Sequence, residues 1–279
     1  MFSADWLELR RAADDAARNV AVRDAVARKF AGRPSLRIAD LASGTGANIR
    51  ALSPFLGTVQ HWSSIDHNAE LLSDARTRFQ LWADGCETDG GAIRLSKAES
   101  RIEVVQREGD LAANPAPHLS GSFDLVTASA FLDLVSVDWI EKFAAALAAL
   151  RLPLYATLTY TGEERWRPPH SSDAKILAAF ASHQTSDKGF GRAAGAGAGR
   201  MAIESLKRRG YHITEGDSSW RLRPEQRPLM TELLDGIVLA VAETGLIAPG
   251  ELSDWHAARK SSSECVIGHI DFFAMPPDP

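Results

Sequence analysis

Apolar residues follow two alternating rhythms over the first 160 positions of the chain. A short apolar run at 36–42 reads as a buried strand, and 59–66, 101–110, 123–130 and 152–160 read as further strands. Between them the apolar positions recur at three- and four-residue steps, the period of a helix face. Trp6, Leu9, Ala13, Ala16 and Val20 place one helix, or two short ones, over 5–31, with Asp5 and Glu8 early, Arg28 and Lys29 late, and Gly32 and Pro34 as the stop. NIRALSPFL and AELLSDARTRFQLWA read as helices, the second with Leu71, Leu72, Ala75 and Phe79 on one side. Residues 137–150 form another, with Ile140, Phe143, Leu147 and Leu150 inward. Strands alternating with helices imply βαβ crossovers and a mostly parallel, doubly wound sheet.

After residue 161 the rhythm changes. TGEERWRPPHSSD is polar and proline-bearing, so it reads as a loop, and AKILAAFASHQ as a helix. GFGRAAGAGAGR at 189–200 is rich in glycine and alanine and reads as mobile. MAIESLKRRG is a helix, YHITEGDSSWRL a strand, 225–246 a helix with Leu233, Leu234, Ile237, Val238 and Val241 inward, ELSDWHAARKSS a helix, and ECVIGHIDFFAMP a final strand. The expected organisation is one domain over 1–279: a helical cap (1–35), an α/β core (36–160), an insertion or lid (161–200) and a C-terminal part of the sheet (201–279).

Composition narrows the class. With 45% hydrophobic and 24% charged residues the chain can build an ordinary globular core. A net charge of −5 gives no basic footprint for nucleic acid. Two isolated cysteines, Cys86 and Cys265, support neither a disulfide framework nor a zinc site, and the histidines show no ligand spacing, so no metal is expected. MFSADWLELRR carries acids where a signal peptide needs an apolar stretch, and no apolar run reaches a membrane span. A cytoplasmic monomer or homodimer is the expectation.

The chemistry centres on Asp40-Leu41-Ala42-Ser43-Gly44-Thr45-Gly46, between a strand and a helix. Glycines there let the backbone bend sharply and approach a ligand. Alone, such a turn fits several nucleotides, or a tight connection with no ligand. Asp66 ends the second strand, 20 residues after Gly46, where a carboxylate can accept from both hydroxyls of a ribose, or cap the next helix. Asp110 ends the third. Three successive strands that finish in acids at one sheet edge are hard to explain by packing.

The pieces IADLASGTGAN, SSIDHNAELLSDAR, REGDL and GSFDLVTASAFLDLV, in this order and spacing, resemble the class I, Rossmann-like S-adenosylmethionine-dependent methyltransferases over about residues 36–160. The resemblance implies a seven-stranded, mostly parallel sheet with an antiparallel C-terminal strand, for which ECVIGHIDFFAMP is the candidate. It implies S-adenosyl-L-methionine as cofactor and S-adenosyl-L-homocysteine as product. Asp40, Ala42, Ser43, Gly44 and Gly46 would surround the methionine end, and Asp66 would bind the ribose with His67 or Asn68 nearby. Asp110 would accept the adenine amino group beside the Leu111 backbone, and Ser129 and Ala130 would face the methionine. Ala42 stands where the family carries its first glycine, and AALRLPLY lacks the usual proline-glycine-glycine turn.

Methyl transfer needs the acceptor held in line, and a base only where the acceptor must lose a proton. Candidates are Asp133, Tyr160, His170, Asp173 and His183, with Tyr160 and Asp133 preferred and Asp173 read as a helix cap. Arg18 could reach the methionine carboxylate if the first helix folds over the cofactor, although surface ion pairing is the blander reading. Trp166, Trp220 and Trp255 could line an acceptor pocket or pack in the core, and His269 is expected against the sheet. A nicotinamide oxidoreductase shares the glycine turn but not Asp40 or Asp110, and Ile49 interrupts its glycine pattern. A non-catalytic cofactor-binding subunit is the other alternative. The motif of exocyclic-amine nucleic-acid methyltransferases is absent where ASAFLDL stands, so a small-molecule acceptor is favoured.

Overall fold

The computed structural model describes residues 3–278, so Met1 and Phe2 of the stretch read for a leader lie outside it. Helices α1 (Ala4–Ala17) and α2 (Val20–Phe30) precede β1 (Leu36–Leu41), α3 (Ala47–Leu52), β2 (Val59–Asp66), α4 (Ala69–Trp82), β3 (Gly85–Asp89), β4 (Ala92–Lys97), β5 (Ser100–Glu108), β6 (Leu125–Ser129), α5 (Val137–Leu150) and β7 (Leu154–Arg167). Then come α6 (Asp173–Gln184), α7 (Ala198–Arg208), β8 (His212–Asp217), β9 (Trp220–Leu222), α8 (Arg227–Thr244), α9 (Pro249–Arg259) and β10 (Glu264–Met275). The break between α1 and α2 is written locally. Asn19 accepts from the Val22 amide and so caps a new helix, as Ser3 caps α1 by accepting from Trp6.

The strands form one sheet in the order β3-β4-β5-β2-β1-β6-β7-β10-β8, with β9 paired to β10. Strands β5, β2, β1, β6 and β7 run parallel, and β10 lies antiparallel between β7 and β8. One face packs α5 and α7 against the sheet through Phe143, Leu147, Ile203 and Phe272. The other packs α2, α3 and α4 through Val26, Phe30, Ile49, Phe79 and Trp62. A third cluster, with Tyr160, Trp166, Ile176, Leu234, Trp255 and Ile267, joins α6, α8 and α9 to the far ends of β7 and β10.

The doubly wound reading and the antiparallel last strand hold. The sheet, however, has ten strands rather than seven. The hairpin β3–β4 extends the edge beyond β5 around Gly90 and Gly91, both at positive φ, and buries Ile93 and Leu95. YHITEGDSSWRL divides into β8 and β9 because the chain bends at Ser218, whose amide bonds the His269 carbonyl. The segment read as a loop after Tyr160 continues β7 to Arg167, since its alternate residues Glu164 and Trp166 turn inward against α6 and α9 while Arg165 and Arg167 stay exposed. The glycine- and alanine-rich stretch is packed rather than loose: the Ala194 amide bonds the Val135 carbonyl, Phe190 meets the rings of Phe131 and Trp139, and Ala193 and Ala198 are buried. Where the proline-glycine-glycine turn is missing, Arg151 itself takes φ +53 at the end of α5.

Candidate active site

Strand β1 pairs with β2 on one side and β6 on the other, so successive crossovers diverge from its carboxyl end and leave a crevice there. The turn at that point holds Ala42 and Gly44 at φ +51 and Gly46 at φ +71. A Cβ at Gly46 would collide with the Phe79 ring, so glycine is required by space as well as by conformation. Leu7 of α1 lies over the turn: a Cβ on Gly44 would come within 3.2 Å of Leu7 Cδ1.

Asp66 fastens this turn to the next strand. Its Oδ2 accepts from the Gly44 amide at 2.8 Å and its Oδ1 from the Asn68 amide at 2.9 Å, and His67 Nδ1 stands 3.5 Å away. A carboxylate with two bonds made can still accept two more. Helix α4 is capped by Asn68, which accepts from Glu70 and Leu71, so Asp66 is not spent on capping. Ser43 Oγ meets Ser64 Oγ at 2.7 Å.

Asp110, just past β5, is exposed; its Oδ1 accepts from the Ala112 amide and its carbonyl from His118 Nε2. The Leu111 carbonyl accepts from Trp139 Nε1 at 2.7 Å. Ala130, after Ser129 at the end of β6, takes φ +50 and donates its amide to the Thr157 carbonyl.

Asp40 lies deeper than the other acids. It is fully buried, and its Oδ1 accepts from Asn48 Nδ2 and Thr127 Oγ1, each at 2.7 Å, while Oδ2 has no hydrogen bond among the described residues. Burial pushes its pKa up to about 6, against the opposing pull of those bonds and of Arg18.

Arg18 is where the blander sequence reading fails. The kink between α1 and α2 turns its side chain inward, 8% exposed, toward Asn48 of α3 and Thr157 near the start of β7. Nη1 donates to Asn48 Oδ1 at 3.0 Å and Thr157 Oγ1 at 3.2 Å, and Nε is buried with no hydrogen bond among the described residues. Asp271 of β10 fixes the kink by accepting from the Asn19 amide and, with its other oxygen, from the Leu158 amide, both at 2.8 Å. Leu158 holds φ +54 there, a conformation a branched side chain resists.

The two preferred catalytic candidates come together. Asp133 sits on a single 3₁₀ turn, Leu132–Leu134, after β6, with Oδ1 closed off from solvent and unbonded. Burial pushes its carboxyl up to about 6, against the pull of Arg10. The buried Tyr160 hydroxyl makes no hydrogen bond among the described residues either, and burial with the nearby Glu164 and Asp133 charges raises its pKa.

The remaining candidates serve the scaffold. Asp173 accepts from the His170 amide and Trp255 Nε1 and pairs with Arg259, tying α6 to α9; His183 pairs with Glu243. Trp166 and Trp255 pack against each other. Trp220 lies under the Arg10 guanidinium, 4.8 Å from ring centroid to Cζ, and 5.2 Å from the His269 ring. Sequence reasoning missed Arg10, Asn48, Thr157, Glu164 and Asp271. Only Asn48, directly after the glycine turn, carried a positional signal.

This sheet order, with the antiparallel strand inserted before the last parallel one, is the fold of the class I, Rossmann-like methyltransferases. Among solved structures, the chain is similar to a cyclopropane-fatty-acyl-phospholipid synthase-like protein from Lactobacillus casei, at a TM-score of 0.52 and 12% identity over 98% of this chain and 94% of that one. It is also similar to a candidate methyltransferase from Bacillus halodurans, at 0.50 and 12% over 92% and 100%. No known family pattern and no curated protein matches the sequence. Among the described residues no helix is long and apolar enough to cross a membrane.

Proposed function

We propose that the protein transfers a methyl group from S-adenosyl-L-methionine to a small-molecule acceptor. The observation that carries the reading is the pairing of a strained, glycine-bearing turn with Asp66, whose carboxylate is anchored by two backbone amides and keeps two acceptor sites. The residues fit the cofactor at three further points. Asp110 and the Leu111 backbone stand where adenine would lie, Arg18 brings a buried guanidinium with an unbonded Nε toward a carboxylate, and Ser129 and Ala130 close the methionine side.

The cofactor would supply an electrophilic methyl group on a sulfonium. The chain's own work is positioning and exclusion of water. Leu7 and the rest of α1 cover the turn, Asp40 holds Asn48 and through it Arg18, and Asp133 with Tyr160 faces the acceptor. Most of the rate of such a displacement can come from alignment alone. Calorimetric titration tests the reading: S-adenosyl-L-homocysteine binds and NADH does not, and Asp66→Ala weakens binding roughly 10- to 100-fold, the worth of a charged hydrogen bond. Unchanged affinity in Asp66→Ala would sink the assignment.

A further inference from the structure

Beside the carboxyl edge, under α1, several buried polar atoms make no hydrogen bond among the described residues: Trp6 Nε1, Asp133 Oδ1, Tyr160 Oη, Glu164 Oε2 and His269 Nδ1. Native interiors leave few such atoms, because each costs about 1–3 kcal/mol. These are linked in space. The rings of Tyr160 and His269 lie 6.2 Å apart on paired positions of β7 and β10, Tyr160 meets Phe180 of α6 at 6.4 Å, and His269 meets Trp220 at 5.2 Å. Arg10 of α1 acts electrostatically on both Asp133 and His269, and Asp133 on Tyr160.

The charges leave a negative balance. Arg10 is already committed: Nε and Nη2 donate to the Asp14 carboxylate at 2.9 and 3.0 Å, and its guanidinium is stacked on Trp220. Burial together with Arg10 keeps His269 neutral, with a pKa near 3. Among the described residues no cation besides Arg10 acts on Asp133, and the second carboxyl, Glu164, acts on Tyr160 and is itself opposed by Arg259. An anionic acceptor would meet like charge in a poorly solvated place, which is strongly unfavourable. A neutral amine, which carries N–H donors and gains positive charge only as it is methylated, finds acceptors and aromatic faces.

We propose that this cluster is the acceptor site and that it takes a primary or secondary amine on a small apolar body, with the amine N–H donating to Asp133 and the body against Tyr160, Phe180 and Trp220. The proposal rests on the methyltransferase reading for what is done to the amine. The amine lone pair forms the new N–C bond as the S–C bond breaks and its electron pair stays on sulfur. The positive charge passes from sulfur to nitrogen, and no proton moves in that step. Asp133 stands beside the nitrogen where that charge develops, the arrangement that lowers a barrier most effectively.

The test is calorimetric binding of alkyl- and arylalkylamines, each matched with the alcohol and the carboxylate of the same skeleton, with and without S-adenosyl-L-homocysteine, together with mass-spectrometric detection of methylated product. At least one amine should bind roughly tenfold or more tightly than both of its partners. Asp133→Asn should abolish that preference while leaving S-adenosyl-L-homocysteine affinity within about twofold and the melting temperature no lower; Tyr160→Phe serves as the second variant. Equal or tighter binding of alcohols or carboxylates, no amine binding, or a preference that survives in Asp133→Asn would overturn the proposal. Failure of the wild-type protein to bind S-adenosyl-L-homocysteine strikes the methyltransferase reading instead, because the amine preference is read without it as well.

Discussion

Three non-glycine residues at the carboxyl edge, Ala42, Ala130 and Leu158, hold φ between +50 and +54, where a Cβ crowds the backbone. They end β1, end β6 and kink β7, so the strain lies around the crevice that takes the cofactor in our reading, as strained residues tend to lie at functional sites. Ala42 shows how much of this is tolerated rather than needed. A glycine there would make the same turn without the crowding, so Ala42→Gly is expected to stabilise the protein by about 1 kcal/mol, read from urea unfolding, with cofactor affinity little changed. At this scale the sequence exposed the residues whose place is set by their neighbours in the chain: the turn, Asp66 and Asp110 follow strand ends directly. It misjudged Arg18, because whether an arginine faces water or the interior depends on where the kink at Asn19 points it.

Among elements, α1, α2, β7 and β10 act as one unit through Asp271. Its two oxygens serve two backbone amides, one at the start of α2 and one at the kink of β7, and the carboxylate is fully buried. Asp271→Ala removes both acceptors and leaves two amides unpaired, so a loss of about 2–4 kcal/mol is expected in urea unfolding. Hydrogen exchange over residues 4–30 should quicken in the same variant, and unchanged exchange there would show that the kink holds without it. The elements themselves were mostly legible, since long periodic stretches such as α4, α5 and α8 carry their own pattern. The hairpin β3–β4 was not read, because only Ile93 and Leu95 of its second strand turn inward. The end of β7 was read as a loop because its mostly polar residues, Glu163 to Arg167, alternate between solvent and a surface made by distant helices.

For the whole molecule, the buried carboxyls set how stability varies with pH. Asp40, Asp133 and Glu164 hold their protons more tightly folded than unfolded, with pKa values pushed up by burial to about 6, about 6 and about 7. Such groups contribute full stability below their unfolded pKa values, near 4, and that contribution is lost as pH rises through 6 to 7. Thermal melts should therefore show stability declining between about pH 4 and 7, the window these shifts define. Glu164→Gln should flatten the decline and recover on the order of 3 kcal/mol at the alkaline end; a decline unaltered by the substitution would place its origin elsewhere. The alternation of apolar runs and helical faces determined the parallel, doubly wound core, and strand-end acids determined where its site lies, because both are consequences of short-range spacing. The tertiary structure alone decided the projecting β7–β10 wall, the inward turn of Arg18 and the meeting of Asp133, Tyr160 and His269. Those depend on which distant helices cover a strand, and no local pattern encodes the partner that will bury a polar side chain.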